Sequence, residues 1–428
     1  MQVFFNRPVA ILLFIALAWV LIVRGILPAL SKIDTDFPNY FTAAKIVADG
    51  GEVDRLYDNG WFEEQMRRYQ VGRASEGAFS PFPPPTALLL LPLARFEPLS
   101  ALRILTGVSV LCLVCSIILL ARILSWSLID SAVFVLLSGY ALLNTLRFGQ
   151  IYILVSLSCI LGYYARLKGR PLLAGMWFGL FSPIKYFPII ILVYFAFRKE
   201  WKMVLGGATA ILIVVLASIG ALGWKIHEDF LSSVLGHHLI AKLDMQDPFT
   251  ASYQSFDSLF RRLFIFDATL NPHPLYALPR VQSIALFTTK ASILLAAIAT
   301  LVKLARGDAP SKTALSIGIL GMITFLLAPA TATYHFVLLW LPVGLLADSF
   351  LRERAALCAY FILGAYAVIG FFPYGHAYQF EGRGGLTLLA YPRLLLLLAM
   401  FISCIYFIWN RAESAREVRT DDLPIILD

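Results

Sequence analysis

Ten apolar runs divide this chain, at about 8–30, 101–122, 128–146, 150–167, 202–223, 284–305, 313–328, 333–350, 355–374 and 386–409. Runs of roughly 17–25 residues are long enough to cross a bilayer as helices, and little else can be built from so many of them. Hydrophobic residues make up 59% of the 428, and charged ones only 14%. A water-soluble fold of this length has too little interior to hide that much apolar surface, whereas a bilayer accepts it. The fold class predicted is therefore an all-α polytopic membrane protein. The formal net charge is +8, but in such a protein the placement of cations carries more information than their sum. It implies no nucleic-acid partner. The five cysteines all fall inside apolar runs and read as small helix residues, since Cys112 and Cys115 have no second ligand pair nearby.

One segment, 171–197, admits two readings. It is either a single tilted helix or two half-length helices meeting at Pro183-Ile184-Lys185-Tyr186-Phe187-Pro188. Arg166, Lys168 and Arg170 precede it, and Arg198, Lys199 and Lys202 follow it. Cationic clusters prefer the cytoplasmic face, so the chain should go in and come back, with Lys185 at the tip of a re-entrant-like hairpin. The expectation is then about twelve membrane segments with both termini cytoplasmic. Residues 1–410 form one transmembrane domain and 411–428 a cytoplasmic tail. Segments 31–100 and 224–283 become the two long extracytoplasmic loops. In the first, a helix is predicted over 37–49 and an interfacial helix over 86–96, too short to span.

Ionisable residues are costly at a membrane and default to a functional reading. No phosphate-binding glycine loop, zinc helix or nucleophile elbow is present. What remains gathers near the outer ends of the spans. Asp36 follows the first span; a carboxylate there can take a proton from a sugar hydroxyl, or it can simply cap the helix that follows. Asp34 and Asp36 alone are too few ligands for a hard cation. His335, at an outward-facing helix start, can hydrogen-bond a phosphate or an acceptor. Arg24, Arg147, Lys185, Lys290 and Arg393 are cations on the side where positive charge is disfavoured; they either snorkel or hold a lipid phosphate. Tyr40, Tyr57, Gln150, Tyr334 and Gln254 complete the candidates as substrate-binding groups.

Several stretches taken in order resemble a known family. Asp36-Phe-x-x-Tyr40-x-x-Ala43-Ala44 is followed by Leu56-Tyr57-Asp58, then by Phe82-Pro-Pro-Pro85 and Phe148-Gly149-Gln150. Ile184-Lys185-x-x-Pro188, Arg198-Lys199-x-Trp201, and Pro329 with Tyr334-His335 complete the series. The chain is similar over about 30–340 to the polyprenol-phosphate-mannose-dependent α-1,2-mannosyltransferases, integral-membrane glycosyltransferases of the GT-C type. It departs from their pattern at Ile151-Tyr152, after Gly-Gln, and at Ala330-Thr-Ala-Thr333, before Tyr334-His335. The resemblance implies a GT-C helical bundle in a bacterial cytoplasmic (inner) membrane, active on its outer face. The donor would be a polyprenyl-phosphate sugar and the acceptor an envelope glycan or glycolipid. Transfer would be a single inverting displacement with no cofactor and no metal. Asp36 would be the base, His335 would contact donor phosphate or acceptor, and Lys185 and Gln150 would line the site. A transporter of the same lipid, or an arabinofuranosyl or glucosyl donor, remains the alternative.

Overall fold

The computed structural model describes residues 6–71, 77–239, 247–306 and 310–421. Part of the expected tail, 422–428, lies outside the described residues, as do the side chains of Arg411, Arg416 and Arg419. Among the described residues the chain is helical, with one isolated bridge between Asp267 and Asn271 in place of any strand. Six helices are long and apolar enough to cross a membrane: Arg7–Ser31, Pro98–Leu124, Trp201–Leu222, Pro279–Ala305, Thr333–Arg352 and Pro392–Asn410. Two bent pairs raise the number to eight at most. The protein is thus an all-α, multi-pass membrane protein, as predicted, with six to eight spans long and apolar enough to cross among the described residues, beside the roughly twelve membrane segments, hairpin included, that the sequence suggests. Several expected spans are short helices, such as Tyr152–Leu167, or bent ones. Large apolar side chains point outward along these helices, among them Leu12, Trp19, Leu111, Leu295 and Phe287, the last 74% exposed. Water would penalise that surface, and lipid does not.

The expected span 128–146 is broken. Leu128–Leu136 and Tyr140–Arg147 meet at 74°. Gly139 sits at the break with φ +52°, and a Cβ there would lie 2.3 Å from the carbonyl oxygen of Gly370. Two backbones approach so closely that neither side can carry a side chain, and the helix turns there. In the first loop, Phe37–Ala48 and Asn59–Arg68 are helices. The second is capped by Asp58, which accepts from the Trp61 N–H at 3.1 Å. The interfacial helix expected over 86–96 is instead two 3-10 turns, Pro84–Leu88 and Leu91–Leu93. Three consecutive prolines, two of them inside the first turn, lack the N–H groups an α-helix needs.

Segment 171–197 resolves into Pro171–Leu180, a connection, and Ile189–Phe197. Arg166, just before it, donates to both carboxylate oxygens of Glu200, just after it, at 3.2 and 2.9 Å. Lys185, in the middle, donates to Tyr40 of the first loop. A segment whose two ends touch while its middle reaches the other end of the bundle is a hairpin. Its outgoing arm is pressed onto Trp201–Leu222: a Cβ on Gly175 would lie 1.9 Å from the Met203 carbonyl oxygen. Backbone cannot yield cheaply, so Gly175→Ala is expected to cost about 1–3 kcal/mol of stability by overpacking. Thermal unfolding in detergent micelles would read it as a lower midpoint, whereas an unchanged midpoint would mean the two helices separate freely.

The opposite end of the bundle collects cations. Arg198 donates to the Ala305 carbonyl at 2.9 Å, Lys303 to that of Trp409 at 3.1 Å, and Arg352 to that of Leu124 at 3.0 Å. Ala305 and Leu124 end their helices, where unsatisfied carbonyls and the negative end of the helix dipole favour positive charge. The first helix runs from Arg7 at this end to Ser31 beside the candidate site, and the apolar stretch of the last, Pro392–Asn410, runs in the reverse sense. Both ends of the bundle's chain therefore lie on the cation-rich side.

Candidate active site

The strip Asp34-Thr35-Asp36 leaves the first helix and turns sharply. Asp36 has φ +68° and ψ −49°, and the Phe37 N–H donates to the Thr35 carbonyl at 2.9 Å. This is a γ-turn of positive φ, a strained conformation for any residue with a Cβ. The helix that follows starts with Phe37 and carries Pro38 in its first turn, but the Asp36 side chain makes no capping bond to it. The helix-cap alternative is thereby excluded. Instead one carboxylate oxygen accepts from Gln150 Nε2 at 2.8 Å and the other from Thr35 Oγ1 at 3.4 Å.

A single turn, 147–150, holds both carboxylates of the strip. Arg147 ends the helix Tyr140–Arg147 and pairs with Asp34 at 3.1 Å. Gly149, at φ +62°, then swings Gln150 under Asp36. Asp34 therefore faces Arg147 and Asp36 faces Gln150, so the two acids do not converge on a common point. No group of three or more metal-ligating side chains occurs among the described residues. The Asp34–Arg147 pair is about one-third exposed on each side, and pairs of that kind are worth at most about 1 kcal/mol. Asp34→Asn is accordingly expected to reduce turnover by less than about tenfold, measured beside Asp36→Asn. Equal losses in the two would make the acids a functional pair.

Behind Asp36 the chain of bonds continues. The Tyr40 hydroxyl donates to Gln150 Oε1 at 2.6 Å, and Lys185 Nζ donates to that hydroxyl at 3.0 Å. Lys185 lies 4.8 Å from the Phe82 ring centroid, 4.9 Å from that of Tyr152 and 5.5 Å from that of Tyr40. Three aromatic faces thus hold one ammonium. Tyr152 stacks on Tyr334 at 5.4 Å, and Tyr334 lines the cavity together with Asp36. His335 Nδ1 accepts from the Ala332 N–H at 3.1 Å, which leaves the ring proton on Nε2. Burial pushes the Asp36 carboxyl above its ordinary value, opposed by the Gln150 hydrogen bond and the Lys185 charge.

These groups surround a cavity of about 440 Å³. Asp36, Asn39, Lys185, Tyr253, Tyr334 and His335 supply its polar lining. Ile189 and Ile190 from the hairpin and Ile323 and Leu327 from Pro310–Leu327 supply an apolar wall made of membrane helices.

Of the candidates from sequence, Asp36, Lys185, Tyr334 and His335 meet in this cavity, with Tyr40 and Gln150 directly behind. The others do not join them. Lys290 is paired with Asp257 of the second loop at 2.5 Å. Arg24 is exposed on the first helix. Arg393 is buried, donates to Thr333 Oγ1 at 2.7 Å and stacks on Tyr374. Arg147 is engaged with Asp34. The Tyr57 hydroxyl donates to the Phe82 carbonyl at 2.7 Å, bracing the first loop. Gln254 uses its amide to join two backbone segments through three bonds: Nε2 donates to the carbonyls of Ala251 and Ala390, and Oε1 accepts from the Arg393 N–H. Sequence reasoning missed Tyr152 and Asn39 as lining groups. Tyr152 carried a signal, since it opens the helix directly after Gln150.

The site is thus a polar chamber with one carboxylate and one ammonium, set on loops over an all-helical bundle and walled on one side by apolar helices. The sequence model of glycosyltransferase family 87 matches residues 81–329, more than half of the chain, and the chain belongs to that family. The protein is therefore a membrane glycosyltransferase, and the transporter alternative falls. Gln150, Tyr152 and Lys185 lie within the matched stretch; Asp36 precedes it and His335 follows it. No curated protein matches the chain.

Proposed function

We propose that this protein moves a sugar, with mannose the first candidate, from polyprenyl phosphate to an envelope glycan or glycolipid. The active site faces away from the cytoplasm at a bacterial inner membrane. The observation that carries the reading is the shared cavity: a carboxylate and a caged ammonium open onto one space whose remaining wall is hydrocarbon. An isoprenoid chain suits that wall, and its phosphate suits Lys185, with the Nε2–H of His335 as a further donor. In the reaction the acceptor hydroxyl oxygen attacks the anomeric carbon from the face opposite the phosphate. The bond from that carbon to the phosphate oxygen breaks, polyprenyl phosphate leaves, and the hydroxyl proton passes to Asp36. The anomeric centre inverts. No metal is required, because Lys185 offsets the charge of the leaving phosphate. The orientation rests on the cation-rich end of the bundle, which belongs in the cytoplasm under the positive-inside rule together with both termini.

The test is transfer by purified protein from synthetic polyprenyl-phosphate-mannose, with EDTA present and with glucosyl and arabinofuranosyl donors beside it. Mannosyl transfer that survives EDTA is the expected result. Transfer from another donor alone would change the sugar, and activity only from a nucleotide sugar would overturn the lipid-donor reading.

A further inference from the structure

We propose that Tyr40 and Gln150 are positioning residues rather than substrate contacts: Lys185 and the Tyr40 hydroxyl lock the Gln150 amide so that its N–H, not its oxygen, faces Asp36. The inference rests on Asp36 being the base.

A glutamine amide has two ends of nearly the same shape, and only its neighbours decide which way it points. Here the neighbours leave one solution. As an ammonium Lys185 can only donate, so the Tyr40 oxygen accepts from Nζ at 3.0 Å, and its own hydrogen is left to point elsewhere. The group 2.6 Å away is the Gln150 amide oxygen, which takes that hydrogen. With its oxygen engaged, Gln150 presents Nε2 to Asp36 at 2.8 Å. Every donor in the series points toward the carboxylate. Burial holds the Tyr40 phenol well above its ordinary value, so it stays a donor at any working pH. Without the Tyr40 hydroxyl the amide is free to turn over. Its oxygen would then face a carboxylate oxygen, a repulsive contact.

The relay fixes one oxygen of a residue held in a strained turn, and it keeps that oxygen occupied. Both Tyr40 and Gln150 are buried and stand outside the cavity lining. Gln150 is thus one layer removed from substrate, although as a polar residue at the mouth of a helix it reads from sequence as a ligand contact.

The variants are Tyr40→Phe, which keeps the ring against Phe82 and Lys185, Gln150→Met, and the two combined. Two readouts are taken on full-length protein in nanodiscs. One is the acid limb of the pH–rate profile for sugar transfer. The other, which needs no activity, is the infrared carbonyl band of the protonated Asp36 carboxyl, assigned by its loss in Asp36→Asn. Loss of a hydrogen bond to a charged group should move the limb and the band upward by about one pH unit or more in each single variant. Donor and acceptor KM should change little. The double variant should move no further than Gln150→Met, because Tyr40 acts only through Gln150. The other charged or titratable groups around Asp36 are the same in all variants: Lys185 on the hairpin, Tyr152, Tyr253, Tyr334 and His335 around the cavity, and the Asp34–Arg147 pair beside it. An unmoved band in Tyr40→Phe, additive shifts, or raised KM with an unmoved limb would overturn the relay. If Gln150→Met does not fold, Tyr40→Phe alone still decides by its band. Full activity in Asp36→Asn would instead remove the base reading, and the band would still report on the relay.

Discussion

Asp36→Asn is expected to lower kcat for sugar transfer by about 10²–10⁴-fold, the usual contribution of a positioned general base. The substitution is mild in every other respect. Asparagine has the same shape, keeps an oxygen to accept from Gln150, and tolerates positive φ about as well as aspartate does. It loses only the ability to hold a proton taken from the acceptor. Donor KM should therefore stay within a few-fold, because binding of the lipid phosphate falls to Lys185. The wild-type profile should lose activity as pH falls, since only the ionised carboxylate can act as a base. Because burial raises the Asp36 pKa, that loss should set in above the range of an ordinary exposed carboxylate. In Asp36→Asn the acid limb should disappear along with the rate. A loss of only a few-fold, or an acid limb that survives in the variant, would move the base elsewhere and leave Asp36 a loop residue.

The legible parts of this molecule were those where one physical constraint decides. Apolar runs and the cationic clusters at 166–170 and 198–202 were sufficient for a helical membrane bundle and for the hairpin, because lipid and the positive-inside rule act on sequence directly. Asp36 and Lys185 were legible because an ion near the bilayer needs a reason to be there. Where two reasons were available, sequence could not choose. Gln254 and Arg393 are polar groups in apolar surroundings, and both turn out to satisfy backbone and side-chain partners inside the protein. Lys290 had its counter-ion in a helix 33 positions away in the chain, Asp257, whose partner no local pattern identifies. The break at Gly139 needed Gly370 on another helix, and a lone glycine in an apolar run says nothing of its distant neighbour. The tyrosines were the least legible. Eighteen are spread through the chain, and only tertiary packing shows that Tyr40, Tyr152 and Tyr334 share one site.

Lys185→Met should separate function from stability more sharply than any other change. The ammonium sits half-buried at the cavity wall, among three aromatic rings with Tyr40 as its hydrogen-bond acceptor. Cation–π contacts offset some of the lost hydration, yet replacing a buried ion by an apolar side chain of similar length is often neutral or stabilising. The unfolding midpoint of Lys185→Met is therefore expected to stay level or rise. Transfer should fall for two reasons at once. The donor phosphate loses its buried cation, which by analogy with other desolvated charge pairs is worth about 2–5 kcal/mol, or roughly 30-fold to several thousandfold in donor KM. Asp36 also loses the positive charge that holds its pKa down, so the acid limb should move to higher pH. Lys185→Arg keeps the charge but must fit a broad planar fork into a cage sized for an ammonium, and should restore only part of the donor affinity. Isothermal titration with a polyprenyl-phosphate analogue, run beside the kinetics, distinguishes these effects. Unchanged analogue affinity in Lys185→Met with a shifted limb would confine Lys185 to tuning Asp36, and would send the search for the phosphate site to His335 and the surrounding tyrosines.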